Sequence, residues 1–182
     1  PYLYRDPTSG ETIWDLFESF PNIFFQTYTN GTYLADDKVL EKMLELGNVV
    51  PAISIEGFEE ETIARRGQKA WEKLSLAMRL MREARIPFGF SATVTRENVD
   101  KITTDSFVDY WIDQGCIFGW TFILIPMGSA DVDKMLLPEQ RDRLREFTTI
   151  YCRKTKPLLW FDFWNDGCLV DGCIAGGRHC SI

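Results

Sequence analysis

The chain has 182 residues, 45% hydrophobic and 26% charged, with 20 Lys and Arg against 27 Asp and Glu for a formal charge of −7. This is the composition of one ordinary globular domain, which excludes disordered and collagen-like chains. The acidic balance lacks the basic footprint of a general nucleic-acid or anionic-membrane binder. No apolar run reaches the roughly 18 residues of a spanning helix, so a chain with no nucleic-acid and no membrane partner is expected. It opens on Pro1 with no signal-peptide pattern, and is expected to be a piece of a longer protein.

In chain order, short β-branched and aromatic runs alternate with longer amphipathic stretches. The first strand is expected over Ile23 to Tyr28, followed by a helix over Asp36 to Leu46 that aligns Val39, Leu40, Met43 and Leu44 and stops at Gly47-Asn48. A strand over Val50 to Ile55 precedes a helix over Gln68 to Arg85, where Trp71, Leu74, Ala77, Met78 and Met81 recur at three- and four-residue spacing. The third strand, Pro87 to Thr95, leads to a helix over Asp105 to Gln114, and the fourth, Ile117 to Ile125, to a helix opened by Pro138. Leu158 to Phe163 is the fifth strand. Connections this long require parallel strands with right-handed crossovers. In such α/β sheets and barrels, functional groups gather where strands end and helices begin.

Five cysteines, Cys116, Cys152, Cys168, Cys173 and Cys180, are separated by 36, 16, 5 and 7 positions. That is not the pattern of an extracellular disulfide framework, so a reducing, cytoplasmic compartment is expected. Cys116 and Cys152 fall in apolar segments and read as buried hydrophobes. His179 is the only histidine, which removes multi-histidine metal sites and leaves Ser-His-Asp chemistry only if that residue is the base.

The strand ends are polar. Thr29-Asn30-Gly31-Thr32 follows the first strand and reads as a turn in which Thr32 or Asp36 caps the next helix. The second strand runs out through Ser54-Ile55-Glu56-Gly57, and Arg65-Arg66 follow behind Glu59-Glu60-Glu61. A hydroxyl, a carboxylate and an arginine pair there suit a ribose and a ligand carboxylate; they equally suit a turn with a solvated charge cluster. The glutamate run is most simply an acidic first helical turn. Ile125-Pro126 ends the fourth strand as an apolar wall or plain core.

Taken in order, Thr29-Asn30-Gly31-Thr32, Ile53-Ser54-Ile55-Glu56-Gly57, Arg66 twelve residues beyond Ser54, and Ile125-Pro126 resemble the radical S-adenosylmethionine superfamily. Gly172-Cys173-Ile174-Ala175-Gly176-Gly177-Arg178 resembles the opening of the SPASM extension of its sulfatase-maturating and peptide-modifying members. The resemblance implies an α/β fold, a partial (β/α)6 TIM-like barrel truncated at its N-terminal end, over residues 1–156, with the last barrel strand and the start of a Cys-rich extension over 157–182. It implies a [4Fe-4S] cluster that cleaves S-adenosylmethionine to a 5′-deoxyadenosyl radical, which abstracts hydrogen from a peptide or small-molecule substrate. An electron donor of flavodoxin or ferredoxin type is implied as well.

By the same resemblance Ser54 bonds the ribose, Arg66 the methionyl carboxylate, Thr29 and Asn30 line the same edge, and the backbone at Ile125 and Pro126 flanks the adenine. Cys173 matches the first ligand of an auxiliary [4Fe-4S] cluster. The sequence departs from the family in having no Cys-x3-Cys-x2-Cys, so the ligands of the main cluster are expected outside this chain, and the chain alone is expected to be inactive. Trp160, Phe161, Phe163 and Trp164 read as core or as a substrate platform. Asp162 and Asp166 are acid or base candidates without a visible partner. The competing reading is a noncatalytic α/β binding or scaffold domain.

Overall fold

The computed structural model describes residues 1–128 and 131–169; Cys173, His179 and Cys180 lie outside the described residues, as does most of the expected extension. Five strands, β1 (Phe25–Thr29), β2 (Val49–Ile55), β3 (Gly89–Val94), β4 (Phe118–Ile123) and β5 (Leu159–Asp162), form one sheet in sequence order. Every neighbouring pair is parallel. The connections carry α2 (Asp37–Leu46), α3 (Glu59–Arg66), α4 (Gln68–Glu83), α5 (Val99–Ile102), α6 (Asp105–Asp113) and α7 (Pro138–Arg145). α7 continues into a π-helical turn at Glu146–Cys152 and a last short turn, α8, at Arg153–Thr155. The short α1 (Ile13–Ser19) precedes β1.

Local chemistry sets these boundaries. Asp36 caps α2 by accepting the Lys38 N–H at 2.9 Å, and Gly47 ends it at φ 67, returning its N–H to the Met43 carbonyl. Only glycine adopts that left-handed geometry without cost. Thr12 and Asp15 cap α1 reciprocally. The expected strand over Ile117 to Ile125 is shorter because β3 ends at Val94, whose carbonyl accepts the Leu124 N–H at 2.9 Å. Past that bond the partner strand has gone, and Pro126 has no N–H to offer.

Alternation along the strands gives the sheet two unlike faces. Ile53, Ile55, Phe90, Ala92, Val94 and Trp160 point into one large core with Leu74, Met78 and Met81 of α4 and Phe107, Val108 and Trp111 of α6. The other face holds a small cluster of strand residues only: Ala52, Phe118 and Trp120, flanked by Val50, Phe122, Phe161 and Phe163. Side chains of β1 and β4 reach toward one another across that inner face, over the small Ala52 and Gly89 between them. On a flat sheet β1 and β4 would stand roughly 14 Å apart, three strand spacings, yet the rings of Tyr28 and Trp120 approach to 6.4 Å and those of Tyr28 and Phe122 to 5.5 Å.

Candidate functional site

The end of β2 gathers the polar groups of the inner face. Ser54 pairs in register with Ser91 of β3, and Ser91 with Trp120 of β4 and Trp120 with Phe161 of β5. One residue row therefore crosses four strands as Ser, Ser, Trp, Phe. The Ser91 hydroxyl donates to the Ser54 hydroxyl at 3.4 Å, a long bond that leaves both oxygens with capacity for a ligand. One row below lie Ala52 and Gly89, so the centre of the inner face is built of small side chains between aromatic walls. Ser91 has no signal in the sequence beyond its place in an apolar strand; only the register sets it beside Ser54.

Glu56 follows Ser54 by two residues, directly after the strand. Its Oε1 accepts from Arg66 Nε at 3.1 Å and from Arg66 Nη2 at 2.7 Å, and its Oε2 accepts from Arg65 Nη1 at 2.5 Å. The Glu56 and Arg66 side chains keep only 12% and 24% of their exposure, whereas Arg65 keeps 70%. α3 delivers both arginines on its last turn, and it is anchored at its start where the Glu61 carboxylate accepts the Phe58 N–H at 2.8 Å. Lys101 of α5 donates to the same carboxylate, and that bond holds the Glu61 carboxyl below the usual carboxylate range. Ser54 and Ser91 thus form one polar pair at the end of β2, and Glu56 with Arg66 forms a second that begins two residues beyond Ser54.

The other expected site residues are placed differently. Thr29 is buried on the helix-covered side and accepts the Gly31 N–H at 3.1 Å. Asn30 Oδ1 accepts the backbone and hydroxyl of Thr32 at 3.2 and 2.9 Å. These are the bonds of a turn, and Gly31 (φ 76) is required there because a Cβ would stand 2.5 Å from Leu74 Cδ1. Thr29 and Asn30 nevertheless border an open depression of about 390 Å³ with Tyr2, Tyr4, Tyr28 and Tyr33. Burial pushes the Tyr28 phenol up to about 12, against a bond from Gln26 that lowers it, so it stays a neutral donor and acceptor. Ile125 and Pro126 lie past the end of β4, with Ile125 44% exposed.

Strand alternation separates the aromatic group near the C-terminal end. Trp160 is fully buried under the helices, while Phe161 stacks on Trp120 at 4.5 Å on the inner face and Phe163 lies 5.3 Å from Phe122. The buried Trp120 Nε1 has no hydrogen-bond partner. Asp162 is fully buried, and its carboxylate accepts from the Trp164 and Asn165 N–H groups and from Asn165 Nδ2. Asp166 accepts from Arg153 Nη2 at 2.5 Å and from the Asp162 N–H at 2.9 Å. Arg153 is the partner that sequence spacing did not reveal, and the pair closes the turn after β5 rather than facing the polar strand end. Cys116 and Cys152 are free and buried, and desolvation pushes the Cys152 thiol up to about 12. Among the described residues no three His, Cys, Asp or Glu side chains converge on a metal position.

No family model matches the chain. A curated relative, the AdoMet-dependent heme synthase of Methanosarcina barkeri, is 29% identical over 118 residues, 64% of this chain and 33% of that protein. The chain therefore spans about a third of the length of the curated relative it matches. Among solved structures, SuiB of Streptococcus suis superposes with a TM-score of 0.66 at 16% identity over 86% of this chain and 37% of its own. SuiB bound to its precursor peptide SuiA gives 0.63 at 15% identity, over 91% and 38%. anSMEcpe with bound AdoMet and Cp18Cys peptide gives 0.61 at 18% identity, over 87% and 45%. At these identities the structural likeness speaks to the fold.

Proposed function

We propose, for a chain that belongs to the radical S-adenosylmethionine superfamily, that it forms the cofactor-binding side of an enzyme that cleaves S-adenosylmethionine reductively to a 5′-deoxyadenosyl radical, which takes hydrogen from its substrate. The observation that supports this reading is a pair of polar contacts at the end of β2, Ser91 with Ser54 and Arg66 with Glu56 two residues further on. The fit is chemical: two hydroxyls suit a ribose diol, and a largely buried guanidinium suits the methionyl carboxylate. Asn30 and the backbone at Thr29 are proposed to line the same edge, and the backbone of Ile125 and Pro126 would flank the adenine. The sheet itself is proposed as part of a (β/α)6 barrel over residues 1–156, with residues 157–182 starting the extension.

By this reading the main [4Fe-4S] cluster is held by residues other than the described ones. The sequence has no Cys-x3-Cys-x2-Cys, and the described residues hold no converging ligand group; its ligands are proposed to lie outside these 182 residues, which makes the chain alone inactive. Cys173 is proposed for an auxiliary cluster. A flavodoxin- or ferredoxin-type donor and a cytoplasmic setting complete the proposal, the latter supported by free thiols at Cys116 and Cys152. No helix among the described residues is long and apolar enough to cross a membrane.

The peptides bound by SuiB and anSMEcpe support a peptide substrate, and the heme synthase supports a small molecule. The uncharged wall of Tyr28, Phe122, Phe161 and Phe163 is the surface that would face it. Equilibrium dialysis of S-adenosylmethionine against the anaerobically prepared full-length protein tests the reading. Ser54→Ala and Arg66→Ala should each weaken binding about ten-fold, the loss of roughly one charge-assisted or ligand hydrogen bond. Unchanged affinity in both would favour the noncatalytic α/β module, a reading supported by the self-satisfied turn at Thr29 to Thr32.

A further inference from the structure

We infer that Glu56 is a positioning residue that selects which edge of the Arg66 guanidinium meets the cofactor. The inference rests on the proposed binding of S-adenosylmethionine at this strand end and adds a residue to it. Arg66 spends both Nε and Nη2 on one oxygen of Glu56, at 3.1 and 2.7 Å. A guanidinium presents two forked edges to a carboxylate, one formed by Nε with Nη2 and one by the two Nη atoms. Glu56 occupies the first, so an incoming carboxylate must take the second, end-on. The remaining Glu56 oxygen accepts from Arg65 at 2.5 Å, which ties the carboxylate from two sides. With 12% of its side chain exposed, Glu56 is largely withdrawn from water that would loosen the pair.

The position of Glu56 in the chain makes the restraint effective. It is the first residue after β2, two beyond Ser54, so its side chain leaves the chain directly where the sheet ends, next to the proposed ribose contact. Arg66 sits on the last turn of α3, before Gly67 at φ 85, where the chain turns into α4. The ion pair therefore bridges a rigid strand end and a helix end, and sets the distance between the hydroxyl and guanidinium contacts. The Glu56, Arg65 and Arg66 group carries a formal charge of +1, which matches one carboxylate.

Charge and orientation predict opposite outcomes when Glu56 is neutralised. Glu56→Gln raises the local formal charge to +2, so a purely electrostatic role makes this site hold the ligand's carboxylate more tightly. A positioning role makes it bind more weakly, because the guanidinium loses its fixed edge; supporting residues of this kind change ligand affinity by roughly ten-fold. The experiment measures the Kd of S-adenosylmethionine, and of decarboxylated S-adenosylmethionine, with the full-length protein and its Glu56→Gln, Glu56→Asp and Arg66→Ala variants, each checked for an unchanged melting temperature. If Glu56→Gln does not fold, Glu56→Asp, which keeps the charge but shortens the reach, takes its place.

The expected result is that Arg66→Ala and Glu56→Gln both weaken S-adenosylmethionine about ten-fold and leave the decarboxylated compound within two-fold. A general loosening of the fold would weaken both ligands together and would overturn the inference. Tighter or unchanged binding in Glu56→Gln, with Arg66→Ala still weakened, overturns the role of Glu56 and leaves the cofactor reading standing. Unchanged binding in Arg66→Ala overturns the assignment of Arg66 and the inference built on it.

Discussion

The two faces of the sheet are made from the same strands and have almost nothing else in common. On the helix-covered face Phe90 is fully buried, with ring centroids 5.6 Å from both Phe107 and Trp160, and the core continues into α4 and α6. On the inner face the buried cluster is confined to the strand residues Ala52, Phe118 and Trp120, and the rings that flank it, Phe122, Phe161 and Phe163, are partly exposed. The difference separates the helix-covered core from the proposed recognition surface at a spacing of one residue. A substitution at Phe90 and one at Ser91 are chain neighbours that act on opposite sides of the sheet.

The largest expected effect tests the helix-covered face. Phe90→Ala removes a ring packed among Phe107, Trp111 and Trp160 and should cost about 3–5 kcal/mol in urea unfolding. A loss under about 1 kcal/mol would mean that this face is not the principal core. Gly119 sharpens the same point by overpacking. A Cβ there would stand 2.3 Å from the tip of the Phe90 ring, so Gly119→Ala should cost about 1–3 kcal/mol as that ring is displaced. On the inner face the expectation reverses. Trp120→Phe removes an N–H that has no partner and little apolar area, so stability should change by less than about 1.5 kcal/mol, while substrate affinity falls if the ring wall is the recognition surface. A large stability loss would make the inner face a second core.

These unlike faces were unequally legible in the sequence. The helix-covered face follows from period: Trp71, Leu74, Ala77, Met78 and Met81 repeat at helical spacing, and all five are buried. α3 was not legible that way, because Glu59–Arg66 has little apolar periodicity and is held instead by Glu61 at one end and by the Glu56 ion pairs at the other. α1 is too short, at 7 residues, to show a period at all. For the candidate site, Ser54 and Arg66 stood out only through the order of motifs along the chain. The contact of Ser54 with Ser91 depends on strand register, and that of Arg66 with Glu56 on the angle at which α3 leaves the sheet. Composition and spacing encode neither. The aromatic group from Trp160 to Trp164 admitted two readings in the sequence because the strand divides it: Trp160 turns into the helix-covered core and Phe161 to the inner face.

The smallest effect concerns the buried turn after β5, and it appears as a pH slope. Burial raises the Asp162 pKa above the usual carboxylate value, with Asp166 adding to it and the bonds from Asn165 and Trp164 opposing it. Between the unfolded value of about 3.9 and that raised value, the folded chain keeps a proton the unfolded chain has released. Its contribution to stability is therefore fully present below the unfolded pKa and is lost as pH rises through the folded one. Glu61 and Asp105, whose pKa values are lowered chiefly by bonds from Lys101 and Tyr151, act in the opposite sense, adding stability above their unfolded values that is lost on acidification. The wild-type rise of stability with pH is thus a difference of opposing slopes. Asp162→Asn cannot titrate, so its unfolding free energy should climb more steeply than wild type as pH increases from about 4. Urea unfolding at a series of pH values measures both curves. Parallel curves would place Asp162 in contact with water, and the turn after β5 would then not be the sealed end of the helix-covered face.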